Sequence, residues 1–311
     1  MNVAGYRLRY AASLPLLIVA ASCVPAAEAP ARPRPTAAPP PQIMAPPQGV
    51  SGPSLPLHRD FVLRGVAEQG GVMIGQAPGG TQALSLDGAA IPLTSDGDFL
   101  IAFDRDAGPT ARLVATFPDG QAIEHLVAVA QGSWRLEHIN APYRGSASSD
   151  ADFERRRPAE LAQIAAARNL QVESDGWQQR FRWPVAGRLS GFFGSQRVYQ
   201  GKPGAYHSGT DIAVPAGTPF VAPADGVVVL AASSPFTLEG NLLIVDHGMG
   251  LNSAFLHCQK LEVKVGDRVV QGQRLGMVGQ TGRATGPHMH WGMKWRNARL
   301  DPGKLAGLMA E

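Results

Sequence analysis

Five of the eight histidines fall between positions 207 and 290, and two spacings there, one to a carboxylate and one between imidazoles, suit metal chemistry. His207-Ser208-Gly209-Thr210-Asp211 sets an imidazole four residues from a carboxylate, and Gly209 lets the backbone bend so that both face one point. His288-Met289-His290 places two imidazoles at i and i+2, which project from one face of a strand. Two imidazoles and a carboxylate are three protein ligands of the kind a catalytic zinc takes, with the fourth position left to water. Such a set leaves a net charge of about +1, which favours ionisation of a bound water. One of His288 and His290 would be a ligand and the other a group beside the metal. His257, in the strand-like run Ser253-Ala254-Phe255-Leu256-His257-Cys258, is a second group able to face the water or the developing oxyanion.

An isolated His-x-x-x-Asp or His-x-His arises by chance, so the specificity lies in their combination within a Gly-cornered β region. His247, in Asp246-His247-Gly248, reads as a strand-end residue. Cys258 neighbours His257, so on a strand it points to the opposite face and reads as a small buried thiol rather than a ligand or nucleophile.

The elements that must hold these groups are short strands. From Trp183 onward the chain is Gly- and Val-rich with regular turns, and two stretches look alike, Gly217 to Val228 and Val265 to Gly276, each reading as strand, turn, strand. The expectation is a compact antiparallel β domain over 181–311. Residues 57–140 hold a second β block. Phe61–Leu63, Val72–Ile74, Ala83–Leu86, Phe99–Phe103, Ala111–Val114 and His125–Val127 are short apolar runs, and Asp87-Gly88, Asp96-Gly97 and Asp119-Gly120 between runs mark turns. A small β-sandwich fits this pattern. It holds no catalytic constellation, since His58, His125 and His138 are scattered. Between the two blocks, 150–172 reads as a connecting helix with Pro158 in its first turn and Arg155, Arg156 and Arg157 on a solvated face.

At the N-terminus, Arg7 and Arg9 precede a short apolar run, Ala11 to Ala21, in the manner of a signal peptide over 1–23. The run ends Ala20-Ala21-Ser22-Cys23, which resembles a bacterial lipoprotein cleavage box and makes Cys23 the candidate for lipidation and membrane anchoring. Residues 24–56 carry eleven of the 26 prolines and bury too little to fold, so they read as an extended Pro/Ala-rich linker. Two cysteines in 311 residues exclude a disulfide scaffold, and a net charge of +3 without aromatic–basic interleaving gives no support to nucleic-acid binding.

The block Tyr206-His207-Ser208-Gly209-Thr210-Asp211-Ile212-Ala213, the run Gly217-Thr218-Pro219 to Ala222, and Thr281-Gly282 through Gly286-Pro287-His288-Met289-His290-Trp291 resemble the lysostaphin-type (LytM-like) zinc endopeptidases. Trp183-Pro184, Gly187 to Ser190 and Phe193 to Arg197 fit the entry strand of that family, and the similarity covers about residues 183–302. The resemblance implies His207, Asp211 and His290 as ligands of one Zn2+ and His257 and His288 as catalytic residues that deprotonate water and stabilise the tetrahedral intermediate. It implies a hydrolase, a metalloprotease that cleaves peptide cross-links of peptidoglycan, acting on peptide stems in the periplasm or cell envelope of a Gram-negative bacterium. Phe255 stands where the family commonly has Tyr, which puts any role of that hydroxyl in doubt. A different class remains open: a non-catalytic or autoinhibited regulator that activates another cell-wall hydrolase, with the β domain as the surface for a hydrolase or division partner. A lipoyl or biotinyl carrier would need a Lys at a hairpin tip, and none is evident.

Overall fold

A computed structural model describes residues 59–142, 151–232 and 234–309. The segments expected as a signal peptide (1–23, with Cys23) and a linker (24–56) lie outside the described residues. The fold is mostly β, with helices at Ala151–Arg168 and Pro302–Ala306 and a 3-10 turn at Gly176–Gln178.

The N-terminal block forms two antiparallel sheets. One orders Val62–Gly65, Val72–Gln76 and Asp98–Ala102; the other orders Ala89–Ile91, Ala83–Leu86, Thr110–Thr116 and Ala122–Ala128. Alternation decides which side is buried: in Thr110–Thr116, Ala111, Leu113 and Ala115 point inward. They pack with Phe99 and Ile101 in the core. Asp87 and Gly88 both take positive φ, 50° and 80°, as a two-residue hairpin turn requires. The next strand, Leu136–Ile139, leaves this block and pairs in parallel with Gln196–Tyr199, which also pairs with Lys202–Tyr206. The pairing in the C-terminal half is otherwise antiparallel, and this strand comes from the segment expected to close the first block.

The main sheet has eight strands. Its path runs Arg268–Val269, Gly226–Ala231, Asn241–Asp246, Leu251–Cys258, Met289–Trp295, Thr210–Ala213 and Arg188–Gly191, with Ala298–Leu300 added beside Met289–Trp295. The two look-alike stretches pair with each other, Phe220 opposite Gly276 and Val227 opposite Arg268. The central strands are covered on both faces, which explains the continuous apolar run Leu242–Val245. Leu243, Val245, Phe255 and Trp291 belong to the larger core, whereas Leu242, Ile244 and Ala254 meet Ala167 and Ile164 of the long helix.

That helix departs from the sequence expectation. It begins at Ala151, so Pro158 lies in its interior rather than its first turn. A proline there cannot donate to the carbonyl of residue 154. Tertiary bonds offset the loss. The Arg157 guanidinium makes a bidentate pair with Glu239 at 2.6 and 2.8 Å. Arg156 donates to the Pro235 carbonyl, and Glu160 accepts from the Thr237 N–H and hydroxyl. Two of the three consecutive arginines therefore bind the loop 235–240 of the C-terminal half rather than forming a solvated face. Arg155 pairs with Asp152 and is exposed.

Asp246, at the end of a central strand, accepts from the Gly248 N–H through one oxygen, and its other carboxylate oxygen is buried without a partner among the described residues. Burial raises its pKa from 3.8 to about 6. The folded state therefore holds this proton more tightly than the unfolded state. The stabilisation is full below pH 3.8 and is lost as pH rises through 6, a change of about 3 kcal/mol. Asp246→Asn should gain about 2 kcal/mol of stability relative to the parent between pH 4.5 and 7.5 in urea unfolding. An equal difference at both pH values would contradict this.

Candidate functional site

The site is assembled on three neighbouring strands. Met289–Trp295 lies between Thr210–Ala213 and Leu251–Cys258, and its His290 stands opposite Asp211 on one side and Leu256 on the other. Antiparallel register thus brings together residues 79 positions apart in the chain. His207 enters from the loop before Thr210–Ala213. Its Nε2 lies 3.2 Å from His290 Nδ1 and 3.2 Å from Asp211 Oδ1, and His290 Nδ1 lies 2.9 Å from the same oxygen. A tetrahedral ion with bonds of about 2.0–2.1 Å has ligand–ligand edges of about 3.3 Å. The three donors therefore already stand near the spacing that one such ion needs, and they form a cluster able to hold a metal.

Backbone carbonyls orient the rings. A carbonyl can only accept, so the ring nitrogen facing it carries the proton. His207 Nδ1 faces the Phe192 carbonyl at 3.2 Å, His288 Nδ1 that of Gly286 at 2.9 Å, and His257 Nδ1 that of Thr281 at 2.8 Å. Each bond leaves Nε2 as the lone-pair atom, the arrangement that orients metal-site histidines elsewhere. His288 Nε2 points inward, 3.7 Å from Asp211 Oδ1, and the His257 and His288 ring centroids are 4.9 Å apart. The structure therefore brings all five sequence-selected residues to one place, with two imidazoles beside the three-donor cluster.

His257 is held in an unusual way. Its φ is +61°, in the left-handed region that non-glycine residues seldom occupy. A register shift accompanies it, with Cys258 opposite Asn241 but Phe255 opposite Leu243. This bulge re-aims the ring. The backbone N–H of His257 is caught by the Glu239 carbonyl at 2.8 Å, and Thr281 fastens the other side: its hydroxyl donates to the Cys258 carbonyl and accepts from the Asn241 N–H. Glu239 and the Thr281 carbonyl were not singled out from the sequence, and only the Thr281-Gly282 turn within the motif hinted at them. Phe255 sits on the opposite face from His290, fully buried against Phe220, so a hydroxyl at its ring would not reach the donors. Cys258 is likewise buried, and burial pushes its thiol up to about 12. His247 proves to be a fully buried bridge between the Asp225 carbonyl and the Ser253 hydroxyl, which also accepts from Trp291 Nε1.

Burial and mutual contact set the electrostatics. Burial alone would raise the Asp211 carboxyl and lower the His207 imidazole. The bonds and charges between them outweigh it, holding Asp211 well below the usual carboxylate range and His207 above the ordinary histidine value. Burial lowers His290, and lowers His257 to about 4 against the pull of the Thr281 carbonyl. His257 is thus neutral near pH 7 and able to accept a proton.

Two glycines make the close packing possible. Gly209 does so for a reason other than the expected bend, since its φ is not in the positive range. A Cβ there would stand 2.6 Å from His290 Nε2 and 2.6 Å from the Trp291 carbonyl. At Gly191 a Cβ would lie 2.3 Å from Asp211 Oδ2. A cleft of about 680 Å³ opens beside His207, and Leu136 and Glu137 of the parallel-paired strand help to line it.

This arrangement has known counterparts. Residues 205–302 match the model of peptidase family M23. Peptidoglycan DD-endopeptidase ShyA of Vibrio cholerae is 42% identical over 121 residues, which are 38% of this chain and 28% of that protein. The cell division protein DipM of Caulobacter vibrioides is 32% identical over 140 residues, 45% of this chain and 22% of its own. The matched segment is thus less than a third of either relative. A crystal structure from Pseudomonas aeruginosa assigned to peptidase M23 superposes with a TM-score of 0.60 at 29% identity, covering 78% of this chain and 96% of that one. That span extends beyond 205–302, so the likeness includes residues N-terminal to the family segment.

Gly209→Ala should lower the affinity of the cluster for a divalent metal at least about tenfold, the range found for other groups that support metal ligands, while the β circular dichroism is retained. Competition with a chromophoric chelator measures it, and unchanged affinity would show that His290 tolerates the added methyl.

Proposed function

We propose that the chain is a zinc-dependent endopeptidase that cleaves peptide cross-links of peptidoglycan in the bacterial cell envelope. The observation that carries this is the three-donor cluster of His207, Asp211 and His290, with edges of 2.9–3.2 Å and two imidazoles beside it. The M23 match and the endopeptidase names of the Vibrio relatives support it.

One Zn2+ per peptidase domain would be held by His207, Asp211 and His290, supplying Lewis-acid polarisation of a carbonyl and a lowered pKa for water. The chain's own groups do the rest. His257 and His288 both turn Nε2 to the cluster, one to take the proton of the attacking water and return it to the departing amine, the other to hold the oxyanion when protonated. Glu239 and Thr281 keep His257 at its post. The cleft beside His207 receives a peptide stem. Residues 181–311 carry 13 Lys and Arg against 8 Asp and Glu, which favours an anionic wall polymer. Export by segment 1–23, anchoring through Cys23 and residence in the periplasm belong to the same reading. No described helix is long and apolar enough to cross a membrane.

Digestion of purified peptidoglycan, with products identified by mass, tests the activity. His290→Ala should lose both zinc and product, whereas His288→Ala should keep zinc and lose at least about a hundredfold in rate. Full activity in His290→Ala would contradict the ligand assignment.

A second reading, an autoinhibited regulator of another hydrolase, draws on one feature. The long helix is fastened to loops next to the site, by Arg157 on Glu239 and by the Phe153 ring under Arg283 at 4.0 Å. Arg157→Ala separates the two roles of this clamp. It should cost about 3 kcal/mol of stability, because the buried Glu239 carboxylate is left without its ion-pair partner. If the clamp positions His257, hydrolysis falls; a rise in hydrolysis would instead establish occlusion by the helix.

A further inference from the structure

A cavity of about 940 Å³ lies away from the histidine cluster, where the last turn of the long helix, the Ala89–Ile91 hairpin and the Met289–Leu300 hairpin meet. Its charged lining residues are Arg168, Lys294, Arg296 and Arg299, and it has no carboxylate among its lining residues. Neutral donors stand among them: Asn169, Gln171 and Asn297.

These cations are not spent on acids. Arg168 is largely buried, its Nε has no hydrogen-bond partner among the described residues, and burial lowers its pKa to about 10. Lys294 stands cross-strand from Arg299 and is held below its ordinary value by burial and by the charges of Arg168 and Arg299. Among the described residues Arg296 reaches a carbonyl, that of Ala90, and the Trp295 ring. Two carboxylates outside the lining reach the group with their charge. Glu239 is already held by both nitrogens of Arg157, and Asp104, which accepts from the backbone N–H groups of Asp106 and Arg299, offsets only part of the charge of four cations. Like charges converging in a half-buried cavity destabilise the apo protein unless a counter-ion fills it.

We propose that this cavity is a binding site for a phosphate-class anion, either free or borne on a lipid headgroup. Guanidinium groups at its wall match the geometry of phosphate oxygens, and the neutral amides add directional donors. The site is separate from the peptidase reading and does not depend on it. Because the helix, the N-terminal block and the peptidase sheet all contribute, the anion would tie the three together.

The test uses metal-free full-length protein, so that phosphate cannot meet zinc. Pyrophosphate is titrated calorimetrically at constant ionic strength, and sedimentation with phosphatidylglycerol vesicles is compared with phosphatidylcholine vesicles. The parent should bind pyrophosphate saturably, and Arg168→Gln with Lys294→Gln should weaken it at least about tenfold while zinc uptake is unchanged. Lys294→Gln alone keeps the test sound if the double variant folds poorly, and should weaken binding about threefold or more. Vesicle binding lost in the same variants assigns the lipid source, and pyrophosphate binding without vesicle binding assigns a soluble anion. Absence of both in the parent, or binding that survives the substitutions, overturns the proposal.

Discussion

The structure depends on the crowding of two imidazole nitrogens against Asp211 Oδ1. Two imidazole nitrogens lie within 3.2 Å of this carboxylate oxygen and of each other, in a position taken largely out of water. Lone pairs so close repel unless a proton or a cation lies between them, so the scaffold must hold them against that repulsion. It does so with the stiffest elements available. Asp211 and His290 sit on adjacent central strands, and Gly191 and Gly209 remove the side chains that would keep the strands' substituents apart.

The remaining architecture extends outward from that pair of strands. One face of the sheet is filled by Phe255, Trp291, Leu243 and Phe220, with Trp291 anchored through Ser253 to the buried His247. The other face carries the histidine cluster at one end and the long helix at the other, over Leu242, Ile244 and Ala254. The helix reaches back to the site through a short chain of contacts: Arg157 holds the Glu239 carboxylate, and the Glu239 carbonyl holds the His257 N–H. His257 pays for its position with a left-handed backbone, a cost of order 1–3 kcal/mol that persists only because Glu239 and Thr281 fix both of its sides. The N-terminal block is joined by the same logic, through the Leu136–Ile139 strand beside the cleft.

Much of this was legible in local spacing. The i, i+2 pair His288 and His290 and the i, i+4 pair His207 and Asp211 declared themselves because strand geometry and a short loop are local properties. The Asp-Gly turns did so for the same reason. What escaped was non-local. Pro158 read as a helix start because propensity takes no account of the ion pairs that carry the helix past it. Arg156 and Arg157 read as solvated because their acceptors, Pro235 and Glu239, lie about 80 residues away. The parallel pairing of Leu136–Ile139 leaves no trace in its own four residues, and the bulge at His257 inverts the simple alternation that the strand would otherwise obey. Gly209 read as a source of backbone freedom, but what it provides is space beside His290.

The central claim, that His207, Asp211 and His290 alone bind the metal while His257 and His288 stand beside it, is tested most directly by X-ray absorption at the zinc edge of the loaded protein. The account predicts a first shell of about four light atoms near 2.0–2.1 Å, with multiple scattering from two imidazoles and no sulfur at about 2.3 Å. Scattering from three or four imidazoles would contradict it, because His257 or His288 would then be bound to the metal and unable to move a proton.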